Sequence, residues 1–429
     1  MTYKTAVEYI KSARKFGMVA GLNRMQRLLE LLGNPHKELK FVHVAGTNGK
    51  GTVCACIHSI LMNAGYRTGL FTSPHIQRFS ERIRVQTTEI SEDKIAAYTE
   101  LIRQSAEIMT SEGEEAPTEF EIITAMAMLH YRAAACEIVV LEVGIGGIID
   151  STNIIDENES LLSVITSIGF DHIEYLGETL PEIAAKKAGI IKNNHKTIVY
   201  PAKKEVMDVF ESVCAAKNAE LIKLDESSVK INAFSIDGTI FDFGGFRDLE
   251  IKLLGKYQAY NAALSILACM ELREMHGFTI SDENIRAGLE SARWPGRFEI
   301  VCKEPLLIID GAHNPEGALA LLDGLCTYFP GKKLTFICGC MADKEPDLLF
   351  APFGEIAKRF ICITPDTPRA LPGEKLMARI KAFHDDAVFK GNVNEALDYV
   401  LSTSAPEDII CAFGSLYFIG GVRDYFGLE

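Results

Sequence analysis

A glycine-rich segment with a single lysine is the part of the chain best suited to chemistry. Residues 44–52 have the sequence VAGTNGKGT; the apolar run that leads into them, residues 41–45, predicts a buried strand, and residues 52–64 follow with a helical pattern. Glycines let backbone N–H groups approach an anion closely, and the start of a helix adds the positive end of its dipole. This strand, turn and helix therefore predict a phosphate-binding loop.

Two side chains of the loop could act on the phosphates of a nucleotide. Lys50 can reach the terminal phosphates, and the hydroxyl of Thr52 can bind Mg²⁺. The spacing differs from the standard phosphate loop, because Gly51 separates the lysine from the hydroxyl residue and Gly46 stands three residues before Gly49. A tight glycine turn with a surface lysine is the alternative. The strand before and the helix after favour phosphate binding.

Polar residues end two further apolar runs. Glu142 closes the apolar run that begins at Ile138, and the Gly144–Gly147 segment follows it. A carboxylate at a strand end beside a phosphate loop is a common place for Mg²⁺ in nucleotide enzymes. His172 follows another predicted strand, at the edge where parallel sheets bind ligands, so we favour a functional role for it over a structural one.

Composition excludes some function classes. The chain has 429 residues, a formal net charge of −14, 48% hydrophobic and 24% charged residues. This acidic balance argues against nucleic-acid binding, which needs a basic face. The eleven cysteines are scattered without a C-x-x-C pair, which is typical of reduced core residues. The N-terminus lacks an apolar signal core and no apolar run has the length of a membrane span, so we expect a cytoplasmic protein without a membrane partner.

Strand and helix patterns alternate along most of the chain, which predicts an α/β fold with mostly parallel sheets. Predicted strands of the first part are 41–45, 68–71, 138–143, 162–168 and 197–200, and predicted helices are 52–64, 91–110, 118–135 and 180–190. Residues 229–254 predict a small antiparallel section, and 257–275 a long helix.

The segment Trp294-Pro295-Gly296-Arg297 interrupts the pattern and predicts a domain boundary. We therefore expect a phosphate-loop domain over residues 1–295 and a smaller, Rossmann-like α/β domain over 296–429. The second domain predicts strands at 306–310, 334–338, 359–364 and 408–413, with helices near 315–328, 346–357, 373–383 and 393–401.

With these motifs and elements, the chain resembles the folylpolyglutamate synthase and dihydrofolate synthase family of the Mur ligase superfamily, and the resemblance runs from end to end. The phosphate loop marks the superfamily, while residues 72–75 (TSPH) and 310–315 (DGAHNP) point to the folate branch. Further marks are the segments at 43–52, 81–83, 142–147, 150–153, 171–172, 187–192, 254–262, 295–297 and 413–417.

The resemblance implies an ATP-dependent ligase. ATP phosphorylates a carboxylate of a folate or of dihydropteroate, and the amine of L-glutamate attacks the acyl phosphate to form an amide. It also implies two Mg²⁺ ions, small-molecule substrates and a cytoplasmic enzyme, which we expect to be a monomer. Because two anions must meet, cations are needed to stabilise the charge.

The resemblance also assigns roles to individual residues. Thr52 and Glu142 are implied as ligands of the first Mg²⁺, and Glu142, His172 and a carbamylated Lys187 as ligands of the second. Lys50, His172, Lys187 and His313 are implied as catalytic residues. The residues implied in ATP binding are Thr47, Asn48, Gly49, Lys50, Gly51, Thr52, Asn261, Arg297 and Asp310. Ser73, His313 and Ser415 are implied on the side of the folate or glutamate.

Two positions depart from the family pattern, and two other functions stay open. Ile148 stands where arginine is frequent, and Lys186 stands where glutamate is frequent. Neither is an expected metal ligand, so they bear on substrate preference and local charge. One alternative is a peptidoglycan-type amino-acid ligase of the same superfamily, against which the two folate-branch segments argue. The other is a nucleotide-binding regulator without turnover.

Overall fold

The computed structural model of the protein describes residues 1–13 and 21–428. These residues form two compact units, residues 1–230, 242–249 and 260–292 in the first and residues 231–241, 250–259 and 293–428 in the second. The expected α/β class with a large, mostly parallel sheet and a separate C-terminal α/β domain is confirmed. The boundary expected at residue 295 stays a prediction.

The first unit is built on an eight-stranded sheet in the order β4-β3-β2-β5-β1-β6-β7-β8. β3 is antiparallel to both β2 and β4, and the other neighbours are parallel. Its strands are β1 (Phe41–Ala45), β2 (Thr68–Phe71), β3 (Ile83–Val85), β4 (Thr88–Glu89), β5 (Ile138–Glu142), β6 (Ser160–Ile165), β7 (Lys196–Val199) and β8 (Glu220–Lys223).

The two central strands explain the apolar runs in the sequence. Every residue of β1 and β5 is buried, because parallel strands with crossover helices are covered on both faces. Val44 of β1 is the register partner of Glu142 of β5. The carboxyl ends of these strands therefore bring the start of the phosphate loop next to the predicted carboxylate.

A three-stranded sheet follows in the order β11-β10-β9, formed by β9 (Lys230–Ser235), β10 (Gly238–Phe243) and β11 (Phe246–Ile251). Its two-residue connections fit only antiparallel neighbours. The second unit holds a six-stranded sheet in the order β12-β13-β17-β14-β15-β16, in which only β12 is antiparallel to its neighbour. Its strands are β12 (Glu299–Lys303), β13 (Leu306–Ile309), β14 (Leu334–Cys338), β15 (Ala357–Cys362), β16 (Ala387–Phe389) and β17 (Ile409–Phe413).

Helices of the described residues begin mostly at a polar cap. Ser91, Thr118 and Thr179, for example, each accept a hydrogen bond from the third residue of the helix that follows. The helices are α1 (Tyr3–Ser12), α2 (Asn23–Leu31), α3 (Lys50–Asn63), α4 (Glu92–Ser111), α5 (Glu119–Ala133), α6 (Ile173–Leu176), α7 (Leu180–Lys187), α8 (Lys204–Ala216), α9 (Tyr257–His276), α10 (Asp282–Ser291), α11 (Pro315–Tyr328), α12 (Pro346–Phe350), α13 (Gly373–Ile380), α14 (Val393–Thr403) and α15 (Leu416–Tyr425).

Some predicted bounds were wrong at element ends. The strand predicted to reach Ile168 ends at Ile165, because the next two side chains bond to the phosphate loop. The helix predicted to reach Ala357 ends at Phe350 and continues as a 3₁₀ turn. The eleven cysteines are unpaired, and all but Cys302 and Cys326 are buried, as their apolar neighbours predicted. None of the described helices is long and apolar enough to cross a membrane.

Candidate functional site

Two glycines of the phosphate loop are required by its shape. Gly46 has φ = 145° and Gly49 has φ = 87°, in the region that L side chains rarely adopt. A Cβ atom on Gly46 would lie 1.8 Å from Oγ1 of Thr166, and one on Gly49 would lie 2.7 Å from Oδ1 of Asn261. The loop therefore packs tightly against neighbours that are distant in sequence, one of which is Asn261 on α9; its role in ATP binding stays a prediction.

The segment after β6 holds the loop in place. The amide of Thr47 donates to the carbonyl oxygen of Ser167 at 2.7 Å, and the hydroxyl of Thr166 donates to the carbonyl oxygen of Asn48 at 2.7 Å. Oγ1 of Thr47 also accepts a hydrogen bond of 3.0 Å from the amide of Gly169. Hydrogen bonds from a second strand end thus fix the backbone around which a phosphate would bind.

Lys50 is the first residue of α3, two residues before the sequence placed the start of that helix. Its Nζ atom donates to the carbonyl oxygens of Gly46 and Thr47, at 3.1 Å each. Thr52 lies in the first turn of α3 and is 3% exposed. The positive charge of Lys50 and the open end of the helix therefore lie at the same loop, which is the arrangement that binds phosphate oxygens.

Glu142 ends β5 and is 4% exposed. Its Oε2 atom accepts a 3.0 Å hydrogen bond from the amide of Ser73, which follows β2. β2 and β5 are parallel neighbours, so their carboxyl ends meet at one edge of the sheet. The contact joins two residues predicted for different roles, Glu142 for metal and Ser73 for substrate.

Lys187, the last residue of α7, is buried, with only 4% of its surface exposed. Its Nζ atom donates a 2.7 Å hydrogen bond to the carbonyl oxygen of Gly46. Burial lowers the pKa of Lys187 from 10.5 to about 7; the charge of Lys50 lowers it as well, while the carboxylates of Asp171 and Asp150 oppose the shift. The structure therefore brings this lysine to the phosphate loop and buries it there.

His172 occupies the cap position before α6 in a left-handed conformation, with φ = 49°. Its side chain is 40% exposed and its Nε2 atom lies 3.8 Å from Oδ2 of Asp171. Within residues 1–13 and 21–428 no three His, Cys, Asp or Glu side chains are grouped as metal ligands. The expected second ion relies on two side chains of these types, Glu142 and His172, together with Lys187, so its assignment stays a prediction.

The donor set at the loop fits Mg²⁺ in part. Thr52 and Glu142 offer a hydroxyl and a carboxylate oxygen, and hard oxygen ligands are those that Mg²⁺ prefers. Both are nearly fully buried, and Val44, the register partner of Glu142, stands two residues before Gly46. An unmodified Lys187 does not fit, because an ammonium group has no lone pair to offer a cation.

In the second unit, Asp310 follows β13 and is 5% exposed. Its two carboxylate oxygens accept 2.7 Å hydrogen bonds from the amides of Phe298 and Ala312. Burial raises its pKa, and the charge of Arg297 and these two amides oppose the rise. Arg297 packs on Gly311, where a Cβ atom would lie 1.9 Å from its Nη1 atom. Asp310 thus fixes the backbone beside Arg297.

His313 and Ser415 follow the neighbouring parallel strands β13 and β17. Nδ1 of His313 lies 2.7 Å from the carbonyl oxygen of Gly311; since a carbonyl only accepts, Nδ1 is the donor of this hydrogen bond. Ser415 caps α15 by accepting a 3.2 Å hydrogen bond from the amide of Tyr417, and it is 2% exposed. The structure therefore gives Ser415 a role in the fold that the sequence did not predict.

Several residues that organise the loops received no role from the sequence. Thr166 and Ser167 hold Asn48, and Asp150 and Asp171 place negative charge near Lys187. Their only signal was their position at strand ends or after the glycine segment. Sequence spacing could not show which distant backbone group each of them would reach.

Two protein-family models match the chain. The Mur ligase middle domain matches residues 44–269, and the glutamate ligase domain of Mur ligases matches residues 296–416. Together they contain the phosphate loop, Glu142 and Lys187 in the first region and Arg297 and His313 in the second. The resemblance seen in the sequence is confirmed at the level of the superfamily.

The similarity to known proteins extends over essentially the whole chain. The dihydrofolate synthase/folylpolyglutamate synthase of Bacillus subtilis is 36% identical over 98% of this chain and 98% of its own. A Mycobacterium tuberculosis folylpolyglutamate synthase, solved with ADP and AMPPCP, has a TM-score of 0.89 at 28% identity and covers 100% of this chain and 99% of its own. Escherichia coli FolC, solved with DHPP and ADP, has a TM-score of 0.86 at 29% identity, covering 100% and 98%. The chain belongs to the folylpolyglutamate synthase and dihydrofolate synthase family of ATP-dependent ligases, within the Mur ligases.

Proposed function

We propose that this protein joins L-glutamate to a carboxylate of a folate or of dihydropteroate, with ATP as the energy source. The observation that carries the proposal is similarity over 98% of the chain to a dihydrofolate synthase/folylpolyglutamate synthase. It is joined by a phosphate loop that contains Lys50, is fixed by the segment after β6 and accepts a hydrogen bond from Lys187. ATP transfers its γ-phosphoryl group to a carboxylate oxygen. The amine of glutamate then forms the amide, and phosphate leaves.

The first step is assigned to the loop. The amides of residues 47–52 and the N-terminus of α3 bind the phosphates, and Asn261 supports Gly49 from α9. Lys50 exchanges its two bonds to the loop carbonyls for phosphate oxygens when ATP binds. A carboxylate is a poor electrophile until one of its oxygens becomes a phosphate leaving group, so this positive charge lowers the barrier as the two anions meet.

Magnesium is assigned to the oxygen donors beside the loop. Thr52 and Glu142 would hold the first ion, and Glu142, His172 and a carbamylated Lys187 the second. When bound, Mg²⁺ neutralises charge on the phosphates. The amide of Ser73 donates a 3.0 Å hydrogen bond to Oε2 of Glu142 and thereby orients the carboxylate for metal binding.

Carbamylation of Lys187 follows from its setting. Its amine is buried next to Gly46, and its pKa of about 7 leaves a large neutral fraction near neutral pH. The neutral nitrogen attacks CO₂, a C–N bond forms, and one proton leaves to solvent. The product is a carbamate with two oxygens, which Mg²⁺ accepts where it rejects an ammonium group.

Roles in the second unit are assigned separately. Arg297 and Asp310 serve the nucleotide, Asp310 through the backbone that it fixes beside Arg297. The Nε2 atom of His313 accepts the proton that the ammonium group of glutamate loses before attack, because Nδ1–H is held by Gly311. Ser73 and Ser415 lie on the substrate side.

Residues 1–295 then act as the ATP-binding domain and 296–429 as the glutamate-ligase domain, in a monomeric cytoplasmic enzyme. Turnover decides the function: ADP and phosphate are measured with ATP and glutamate plus either dihydropteroate or tetrahydrofolate. Glutamate-dependent release with at least one folate is expected. Release only with a peptidoglycan precursor would favour the other Mur ligases, and nucleotide binding without any release would favour a regulator.

A further inference from the structure

A chain of hydrogen bonds runs from the centre of β1 to the glycine segment after Glu142. His43, in the middle of β1, is fully buried, and its Nε2 atom lies 2.9 Å from Oγ1 of Thr152. The hydroxyl of Thr152 lies 2.5 Å from Oδ1 of Asp150, and the amide of Thr152 donates to the same oxygen at 3.0 Å. Oδ2 of Asp150 accepts from the amide of Ile145 at 2.9 Å.

The donors and acceptors fix the direction of this chain. A carboxylate accepts, so the single hydroxyl proton of Thr152 is committed to Asp150. The ring nitrogen Nε2 of His43 must then donate to the threonine oxygen. In a neutral ring this leaves Nδ1 without a proton, and Nδ1 has no hydrogen-bond partner among the described residues. Burial and the charge of Lys192 lower the pKa of His43 well below 6.5, which agrees with a neutral ring.

The hydrogen-bond chain ends at the glycine segment, which lies against the backbone of Lys186 and Lys187. The glycine segment that Asp150 holds continues into Gly147, where a Cβ atom would lie 2.8 Å from the carbonyl oxygen of Lys186 and 3.0 Å from that of Lys187. The amide of Ile148 donates to the same Lys186 oxygen at 3.0 Å. Any shift of Asp150 would therefore move the support of the last turn of α7.

We propose that His43 is a positioning residue for the ligase reaction: as a neutral imidazole protonated at Nε2, it orients Asp150 through Thr152, and Asp150 sets the glycine segment against Lys187. The kinetic part of this inference rests on the proposed function. His43 does not touch substrate, so its loss acts on the rate of the bound complex and leaves nucleotide binding at the loop in place.

The first test needs no enzymatic activity. Histidine-selective ¹⁵N NMR of the protein should show a neutral ring with the proton on Nε2 that keeps this state as the pH is lowered through 6.5, and loss of its signal in His43→Gln should assign it to His43. A ring of His43 protonated on Nδ1, or on both nitrogens at pH 7, would overturn the proposed direction of the chain. This result stands whatever the substrate of the enzyme proves to be.

The second test separates positioning from bulk stability. Gln can place an N–H donor near the position of Nε2, so His43→Gln should keep most of kcat while His43→Leu loses it by about tenfold or more, with KM for ATP nearly unchanged. Thr152→Val should lose as much as His43→Leu, and Thr152→Ser should recover it. His130→Leu, which also removes a buried histidine, is the control and should keep kcat.

Coupling completes the test. If the two side chains act in one chain, His43→Leu/Thr152→Val should be no slower than Thr152→Val alone. Additive losses, equal losses in His43→Gln and His43→Leu, or an equal loss in His130→Leu would each overturn the proposal. Should His43→Leu not fold, the Thr152→Val and Thr152→Ser pair gives the same decision. Absence of ligase turnover in the unaltered protein would refute the proposed function, and the NMR measurement alone would then test the hydrogen bonds from His43 to Asp150.

Discussion

The Nζ atom of Lys187 lies 2.7 Å from the carbonyl oxygen of Gly46, so a buried lysine of α7 contacts the first glycine of the phosphate loop. The same carbonyl accepts a hydrogen bond from Lys50 at 3.1 Å. The side-chain nitrogens of two lysines thus meet at one backbone oxygen. Burial is the main cause of the lowered pKa of Lys187, and the nearby charge of Lys50 lowers it further.

Lys187→Ala should be nearly inactive, and millimolar-range formate or acetate should restore part of the activity by supplying the missing oxygens. The matched control is Lys186→Ala, which removes the exposed neighbouring lysine and should keep turnover. Glutamate-dependent phosphate release measures both. Full activity of the unaltered protein in CO₂-free buffer, with metal bound beside a plain amine, would contradict carbamylation.

Lys50→Ala should lower kcat by about 10²-fold or more, because no other lysine lies within the loop to replace its charge at the phosphates. Stability should change little, since the two hydrogen bonds of this side chain among the described residues both go to loop carbonyls. Single-turnover kinetics measure the rate and calorimetry the melting temperature. Turnover within a few-fold of the unaltered protein would remove the basis of the phosphate-loop assignment.

Gly49→Ala and Gly113→Ala form a matched pair that separates backbone strain from crowding. The two glycines have φ of 87° and 86°, but a Cβ atom on Gly49 would lie 2.7 Å from Asn261, whereas Gly113 has open space. Gly113→Ala should cost about 1 kcal/mol of stability and keep ATP affinity. Gly49→Ala should cost more and bind ATP at least about tenfold more weakly, by titration calorimetry. Equal affinities in the two variants would argue against tight packing of the loop.

Thermal stability should fall as the pH is lowered from 6.5 towards 4. Burial lowers the pKa values of His36 and His58 from 6.5 to about 4. Above pH 6.5 neither the folded nor the unfolded state binds a proton at these rings. Between pH 6.5 and 4 the unfolded chain binds the protons and the folded protein does not. The free energy of unfolding therefore falls by up to about 1.4 kcal/mol per pH unit for each ring. Calorimetric midpoints of the unaltered protein and of His58→Gln should have different slopes only below pH 6.5, and parallel curves there would contradict the shift.

The sequence could predict the parts of this site that depend on local pattern. Glycine spacing after an apolar strand predicted the loop, and a strand that ends in a carboxylate predicted the place of Glu142. It could not predict contacts such as Thr166 with Asn48, or Lys187 with Gly46, because each joins residues more than a hundred positions apart. For the same reason the strand at Ser160–Ile165 was predicted to end three residues too late, at Ile168. An apolar run shows which residues can be buried, but not where a side chain leaves the strand to bond a loop.

The bonds that join residues 47 and 48 to the segment after β6 also determine what nucleotide binding requires. Ordering one residue of a flexible loop costs roughly 1–2 kcal/mol in conformational entropy. Here the Asn48–Ser167 bridge and the paired contacts of Thr47 with Gly169 order the loop when the protein folds. ATP therefore meets a rigid receptor, and association should proceed without a slow rearrangement of the loop, in a single kinetic phase whose rate rises linearly with nucleotide concentration.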